Sequence, residues 1–578
     1  MSVLRAGPLS AEFEGGNLRY IRYAGFEMIR AISFLVRGRV WNTFAPEIAD
    51  LVVREDDDAF RIRYDATVRD GAATLHYRAR IDGTANGTLS FSAEGASDSD
   101  FVTCRTGFVV LHPINGVAGH DVEIEHVDGS VVHGRFPELI DPVQPMKDLR
   151  ALTHAFAPGA SVTCRMEGDA FEMEDQRNWT DASYKTYVRP LAKPWPYTIA
   201  KGEAIKQSVT LRVHGVPTVA AQADDVVRVE VGAAVGHMPT LALGCTPAEA
   251  AAALPHVEAL RRSGIADLVC RYDPRDGNDL SAVKEFADKL GAGVELQLVV
   301  PSVEAFAQDI ADAAAVVRRA GLKLRALAVS PAADLKSTPP GSTWPPCPPA
   351  DAVLRATRRA FPGVRLGGGM LSTFTELNRK RPPLSLIDYV TFCTTSNVHA
   401  GDDRSVMETL ESLPFVTASV RAIVGDKPFV VGPSSIGMRD NPYGAAPLEN
   451  PDEARMAMAG RDPRQREEFN AAWTLGYVAR MAAGGACRIA MSAPVGDFGI
   501  LDADGPYPVF RVIAGLARLR GATLYAATTS RERDVLALRA GTELWLANLT
   551  AESVRVAVPE GAGPVLTLAP YAVAVSHL

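Results

Sequence analysis

Between residues 236 and 520, short apolar runs alternate with stretches that read as amphipathic helices. The runs are Thr240–Gly244, Ala266–Arg271, Val294–Val300, Leu324–Ser330, Val364–Gly369, Tyr389–Thr394, Pro428–Gly432 and Cys487–Ser492. The helical stretches include Pro247–Ser263, Leu280–Leu290, Val303–Ala320, Ala352–Ala360 and Arg464–Ala483. A strand covered on both faces reads as a continuous apolar run, and strand–helix–strand order makes neighbouring strands parallel. Eight such units in this span predict a closed (β/α)8 barrel, since a doubly wound sheet rarely needs eight.

The flanks have a different period. Phe60–Val68, Ala73–Ile81 and Ser208–Val213 alternate apolar and polar residues, and the pairs Asp70-Gly71, Asp82-Gly83, Asn86-Gly87 and Asp128-Gly129 mark turns. Period two with such turns predicts an antiparallel β-sandwich. An Ala/Val/Pro-rich linker is expected over His214 to Asp225. Beyond residue 520 a small β meander is expected, with strands near Val535–Ala540, Leu544–Leu549, Val554–Val558, Val565–Leu568 and Ala572–Val575. The expected domains are therefore 1–222 (N-terminal sandwich), 223–520 (barrel) and 521–578 (C-terminal β domain). A chain of 578 residues is long enough for all three.

Composition excludes several classes of function. The net charge of −8 offers no clustered positive field for nucleic acid. No window approaches the apolar length of a membrane span, and the opening MSVLRAGPLSAEFEGG lacks the basic and apolar regions of a secretion signal. Cytoplasm is the expected compartment. The seven cysteines (Cys104, Cys164, Cys245, Cys270, Cys347, Cys393 and Cys487) include no close pair, which suits reduced buried thiols and not a disulfide framework or a zinc site. His112, His120 and Glu123 to His126 form a polar cluster, but its spacing matches no metal motif. No cofactor and no metal are expected, and oligomeric state is left open.

Chemistry on a (β/α)8 barrel sits at the C-terminal ends of the strands. Those ends bring Arg271, Tyr272 and Asp273 from the second strand, Glu295 and Gln297 from the third, and Gly367-Gly368-Gly369 from the fifth, with Asn378 further along its loop. The sixth strand leads to Asn397 and His399, the seventh to Ser434, Ser435, Arg439 and Asn441. Glycoside hydrolysis needs two carboxylates, commonly after strands four and seven. Here those strands end in Ser330-Pro331 and Pro433-Ser434-Ser435, so neither supplies an acid. Arg271 is expected to neutralise Glu295, either as a structural ion pair or beside a catalytic carboxylate. The triple glycine lacks phosphate-loop spacing and reads as close backbone approach.

The densest polar string lies earlier. Phe171-Glu172-Met173-Glu174-Asp175-Gln176-Arg177-Asn178-Trp179-Thr180-Asp181-Ala182-Ser183-Tyr184-Lys185-Thr186-Tyr187 concentrates carboxylates, cations, an amide and a tryptophan. Such a mixture suits a sugar ligand, or alternatively a hydrogen-bonded interface loop. Together with Arg189-Pro190-Leu191-Ala192, Pro194-Trp195-Pro196-Tyr197, the upstream Phe136–Pro145 and Asp148–Ala151, and Arg39-Val40-Trp41-Asn42-Thr43, this string resembles the D-apionate lactonase family. The resemblance spans the chain in architecture and is most specific in the first 200 residues. It implies hydrolysis of D-apionolactone to D-apionate in apiose breakdown, with a small sugar lactone as the partner molecule.

Opening a lactone needs a water, a base, donors for the tetrahedral oxyanion and an acid for the leaving alkoxide. Glu174 or Asp175 is the expected base, with Glu295 in competition. Arg177 or Lys185 is expected to stabilise the oxyanion or hold the product carboxylate. Asn178, Trp179, Asp181, Arg271, Gln297, Asn397 and His399 are the expected substrate-binding residues. No GxSxG nucleophile elbow is present, which argues against an acyl-enzyme. A glycoside hydrolase with unusual carboxylate placement and a non-catalytic carbohydrate-binding protein are the alternatives.

Overall fold

The computed structural model describes residues 2–39, 41–219, 225–559 and 565–577. Val40 of the Arg39–Thr43 motif and residues 220–224 of the expected linker therefore lie outside the described residues. His214 and Gly215, placed in that linker from sequence, still belong to the strand Ile205–Gly215. The chain divides into two compact units, one of residues 1–177 and 182–223, the other of residues 178–181 and 224–578.

The first unit is antiparallel β. Among the described residues sixteen of its strands form one sheet, whose main path runs from Ser2–Ala6 to Glu47–Glu55, and Phe101–Thr103 pairs with Tyr197–Ile199 in a separate two-stranded sheet. The period-two reading holds in detail: along Ala59–Asp70, Phe60, Ile62, Tyr64, Ala66 and Val68 are buried while the residues between them are not. The inner face is closed by aromatic packing, with Phe108 edge-on to Phe34 at 5.3 Å and to Phe91 at 4.9 Å. Gly71, Gly87 and Gly129 take positive φ at their turns, as expected. Asp82-Gly83 is a correction, because it lies inside the strand Ala73–Thr84. Gly83 is there to make room: a Cβ would sit 2.2 Å from Cζ of Phe60. The ends of the sheet path meet, since the Arg5 N–H donates to Glu55 Oε1 at 2.8 Å.

The second unit is built on a closed barrel of eight parallel strands. They are Thr240–Cys245, Asp267–Tyr272, Gly293–Val300, Leu324–Pro331, Arg365–Thr373, Tyr389–Cys393, Phe429–Ser434 and Arg488–Met491. The last closes on the first through the pairs Thr240↔Arg488 and Ala242↔Ala490. Every strand coincides with an expected one, with one informative difference. The fifth does not end at Gly369; its pairing shifts there and it continues to Thr373. The glycines are explained by close approach, since a Cβ on Gly367 would lie 2.3 Å from the Tyr389 ring and Gly369 has φ +116.

The C-terminal β segment is larger than expected. A seven-stranded sheet joins Thr523–Thr529, Val535–Ala540, Glu543–Asn548, Val554–Ala557, Leu566–Leu568 and Val573–His577 to the strand Val226–His237, which precedes the barrel in sequence. Its core includes Val227, Val229, Val535, Leu544, Leu546 and Val556. No helix among the described residues is long and apolar enough to cross a membrane.

Candidate active site

The C-terminal ends of the barrel strands surround a cleft of about 740 Å³. Arg271 and Asp273 from the second strand's end, Glu249 from the first helix, Lys336 after the fourth strand, and Arg439 and Asp440 after the seventh line it. A narrower pocket adjoins it and shares Leu335, Pro433, Arg439 and Asp440. That pocket has about 30 Å³ of water-sized space and is lined further by Ser372, Thr373, Glu376, Cys393, Thr394 and Ser435. It is large enough for a water and too small for a sugar.

Arg271 does not pair with Glu295. Its guanidinium donates to Asp440 and to the Leu371 carbonyl, with a long contact of 3.5 Å to Gln297 Oε1. Gln297 is fully buried and donates to the Gly432 carbonyl at 3.1 Å, so it braces the mouth from below. Glu295 lies near the other end of its strand, where Arg488 neutralises it. It is 2% exposed and has no route to a ligand at the strands' C-terminal ends, which corrects its placement as a base. Arg439 donates to the Ser492 carbonyl at 2.9 Å and stacks on Phe498 at 4.4 Å, while its Nε has no hydrogen-bond partner. Lys336 Nζ donates to the carbonyls of Asn441 (2.9 Å) and Gly444 (2.7 Å), so the loops after strands four and seven are tied together.

Glu376 stands on the short helix Phe374–Arg379, immediately after the fifth strand. Its side chain is 2% exposed, and Oε1 accepts no hydrogen bond. The nearest cation is Arg379, at 3.6 Å from that oxygen. Burial pushes the Glu376 carboxyl above its ordinary range, against the opposing hydrogen bond from Ser337 and the charge of Arg379.

Four residues of the polar string belong to the barrel unit. The Asn178 carbonyl accepts from Thr375 Oγ1 at 2.7 Å, and its Oδ1 accepts from Asn378 at 3.0 Å. Asp181 Oδ2 pairs with His399 Nδ1 at 2.7 Å, both about one-fifth exposed. Trp179 is 2% exposed and packed among Val398, Met438 and Met458, so its face cannot lie against a sugar. Asn178 and Asn397 are buried as well. Asn397 donates to the Ala459 carbonyl at 3.2 Å and is a support, not a contact residue.

The remaining members stay in the first unit. Asp175 and Arg177 are both 0% exposed and joined by two hydrogen bonds of 2.8 and 2.7 Å. Arg177 also donates to the carbonyls of Glu138 (3.1 Å) and Pro137 (2.8 Å), and Asp175 accepts from the Asp141 N–H at 3.1 Å. With its oxygens engaged and no solvent access, Asp175 cannot deprotonate a water, and Arg177 has no exposed edge for an oxyanion. Both expected roles are corrected to a structural ion pair. Glu174 faces Lys185 across neighbouring strands at 2.7 Å. Burial pulls the Lys185 ammonium below its ordinary value, against the pull of Glu174.

Of the carboxylates at the barrel mouth, the sequence reading names Asp273 and misses Glu249, Asp276, Asp279, Asp440 and Glu376. Asp440 stands between Arg439 and Asn441, both of which that reading named. Glu376 is hidden from the sequence because the triple glycine marks a strand end at Gly369, whereas the strand runs on to Thr373.

Three family domains match the chain: D-apionate lactonase N-terminal domain over residues 1–216, TIM barrel domain over 241–521, and C-terminal immunoglobulin-like domain over 532–576. D-apionate lactonase of Brucella anthropi is 45% identical over 584 residues, covering 99% of this chain and 96% of that protein. Among solved structures, a family 30 glycoside hydrolase, an endoxylanase from Clostridium papyrosolvens C71, aligns with TM-score 0.37 and 10% identity over 61% of this chain and 99% of its own. A β-glucuronidase from Ruminococcus gnavus, solved with D-glucaro 1,5-lactone, aligns with TM-score 0.32 and 11% identity over 82% of this chain and 68% of its own. These two likenesses are too distant to bear on chemistry.

Proposed function

The chain belongs to the D-apionate lactonase family, and from that membership we propose that it opens D-apionolactone to D-apionate by adding water at the barrel mouth. The observation that carries the location is the cleft of about 740 Å³, a size suited to a small polar ligand. Its cationic edge is Arg271, Arg439 and Lys336. A lactone is neutral and its product is an anion, so cations at this edge favour the charge that develops during attack. Arg439, which lines both the cleft and the narrow pocket, is proposed to face the carbonyl oxygen. Arg271, held by Asp440 and braced by Gln297, is proposed to orient the ring. His399 and Asp181, paired with each other and each about one-fifth exposed, line neither the cleft nor the narrow pocket.

The same reading places the protein in the cytoplasm, which its seven unpaired cysteines, five of them buried, favour. The N-terminal sheet is proposed to be a sandwich, given that its ends meet. The three-domain division at about residues 222 and 520 is kept, with Val226–His237 reassigned to the C-terminal domain.

Proton release on adding D-apionolactone to purified, chelator-treated protein tests the function. Acid should appear with this lactone, far more slowly with common aldonolactones, and not with an aryl glycoside. No acid with or without added divalent metal would remove the lactonase reading, and reducing sugar from the glycoside would replace it.

A further inference from the structure

We infer that Glu376 is the general base of this site and that it works on a water held in the narrow pocket beside the main cleft. The inference rests on the lactonase reading above. Six carboxylates border the mouth, five of them in the main cleft and Glu376 in the narrow pocket. Asp276 is exposed on its loop, and Asp279 accepts the Ser281 N–H at 2.8 Å. Glu249 Oε2 accepts the Thr246 N–H at 2.7 Å in the capping box that starts its helix. Asp273 is gripped by Arg275 through both oxygens, at 2.5 Å and 2.9 Å for the shortest contacts. Asp440 is ion-paired with Arg271. A carboxylate held by a guanidinium is a weak base, because taking a proton forfeits the pair.

Glu376 is held more loosely: Arg379 stands 3.6 Å from Oε1, beyond hydrogen-bond distance, and Ser337 hydrogen-bonds the carboxyl. Its side chain lines a pocket of one or two waters' size, and one carboxylate oxygen, Oε1, is left without a hydrogen-bond partner. The pocket meets the main cleft at Arg439 and Asp440, so a water there lies between a base and a cation. The balance of the step is then complete. The water oxygen bonds to the lactone carbon, the carbonyl electron pair moves onto oxygen, and the Glu376 carboxylate takes one water proton. On collapse the carbonyl re-forms, the bond from carbon to ring oxygen breaks, and its electron pair leaves with the ring oxygen. That oxygen takes the proton back from Glu376. The new carboxylic acid ionises in solvent, and this is the acid that the assay detects.

The groups facing Glu376 set its pH response. They are Arg379 on its own helix, Ser337 and Asp334 after the fourth strand, Cys393 on the sixth, and Arg439 and Asp440 after the seventh. Burial raises the carboxyl, so the acid limb of kcat should lie above the ordinary carboxylate range.

The test measures kcat and KM for D-apionolactone with wild type, Glu376→Gln, Glu376→Asp and Glu376→Ala, each checked for an unchanged unfolding midpoint. Glu376→Gln should lose about 10²- to 10⁴-fold in kcat with little change in KM. Formate should restore part of the rate to Glu376→Ala, which a merely structural glutamate would not permit. Glu376→Asp keeps the charge, should fold, and should shift the acid limb of kcat. A Glu376→Gln rate within about threefold of wild type sinks the inference, since a general base contributes far more. So does an unrescued Glu376→Ala that is folded, or a Glu376→Asp with full rate and an unmoved limb. An inactive wild type instead sinks the lactonase reading itself, so the two failures are distinct.

Discussion

At the scale of single residues, the polar string from Phe171 to Tyr187 shows how chemistry-bearing composition can serve structure. Its most reactive-looking members, Asp175 and Arg177, saturate one another inside the N-terminal unit. Replacing Asp175 by Asn would leave the Arg177 charge buried without its counter-ion, at a cost of about 3–5 kcal/mol. Replacing both by apolar residues of similar size should cost much less, because no orphan charge remains. Urea unfolding of the single and double variants checks this, and kcat per folded molecule should be unchanged in both. A large fall in kcat with unaltered stability would return Asp175 to the catalytic list. The density of charge in this string is plain in the sequence, but burial is not. Alternation tells which residues share a face and says nothing about whether solvent reaches it. Glu376 is the reverse case: an unremarkable glutamate in Phe374-Thr375-Glu376-Leu377-Asn378 that only the length of the preceding strand brings to the pocket.

At the scale of elements, the barrel was legible because parallel strands buried on both faces announce themselves as apolar runs. What did not show was where pairing ends. The fifth strand has glycines at the position where a turn is expected, yet they serve the approach of Tyr389 and the strand goes on. Val226–His237 joined a sheet whose other strands lie about three hundred residues later, a pairing that no local pattern announces. The same later region offers a test with an unusual sign. Gly515 lies inside the helix Pro508–Ala517, where glycine to alanine ordinarily stabilises by about 0.5–1 kcal/mol. Here a Cβ would sit 2.1 Å from Cη2 of Trp545. Trp545 is held in turn by its Nε1–H, which donates to Glu543 Oε2 at 2.9 Å. Gly515→Ala should therefore destabilise by about 1–3 kcal/mol, the cost of overpacking. A gain in the urea midpoint would mean that the indole moves aside freely and that the helix is not locked to the sheet.

At the scale of the whole molecule, the two units carry different electrostatic liabilities. The candidate site lies in the second unit, while the buried histidines among the described residues, His112 and His154, are both in the first. Their rings lie 5.8 Å apart, with His112 Nε2 on Thr186 Oγ1 at 2.8 Å. Burial drives both imidazoles below the ordinary value of 6.5, and His112 is pushed further down by its neighbour. Both therefore stay neutral in the folded chain at a pH where the unfolded chain has begun to bind protons. Unfolding takes up protons in that window, so this part of the stability is fully present above about pH 6.5 and is lost as the pH falls below it. The loss approaches about 1.4 kcal/mol per pH unit for each ring. Unfolding midpoints measured from about pH 7.5 to 5.5 should fall along that slope. His154→Gln removes one of the two proton sites and should flatten the slope by nearly half. A midpoint that holds steady across the range, or one that falls equally in the variant, would mean that the rings reach solvent or pair with a group able to share their charge. Because the barrel's mouth is not involved, the acid limb of kcat should follow the carboxylate at position 376 and stay unmoved by His154→Gln, so that acid lability and acid loss of rate separate by variant.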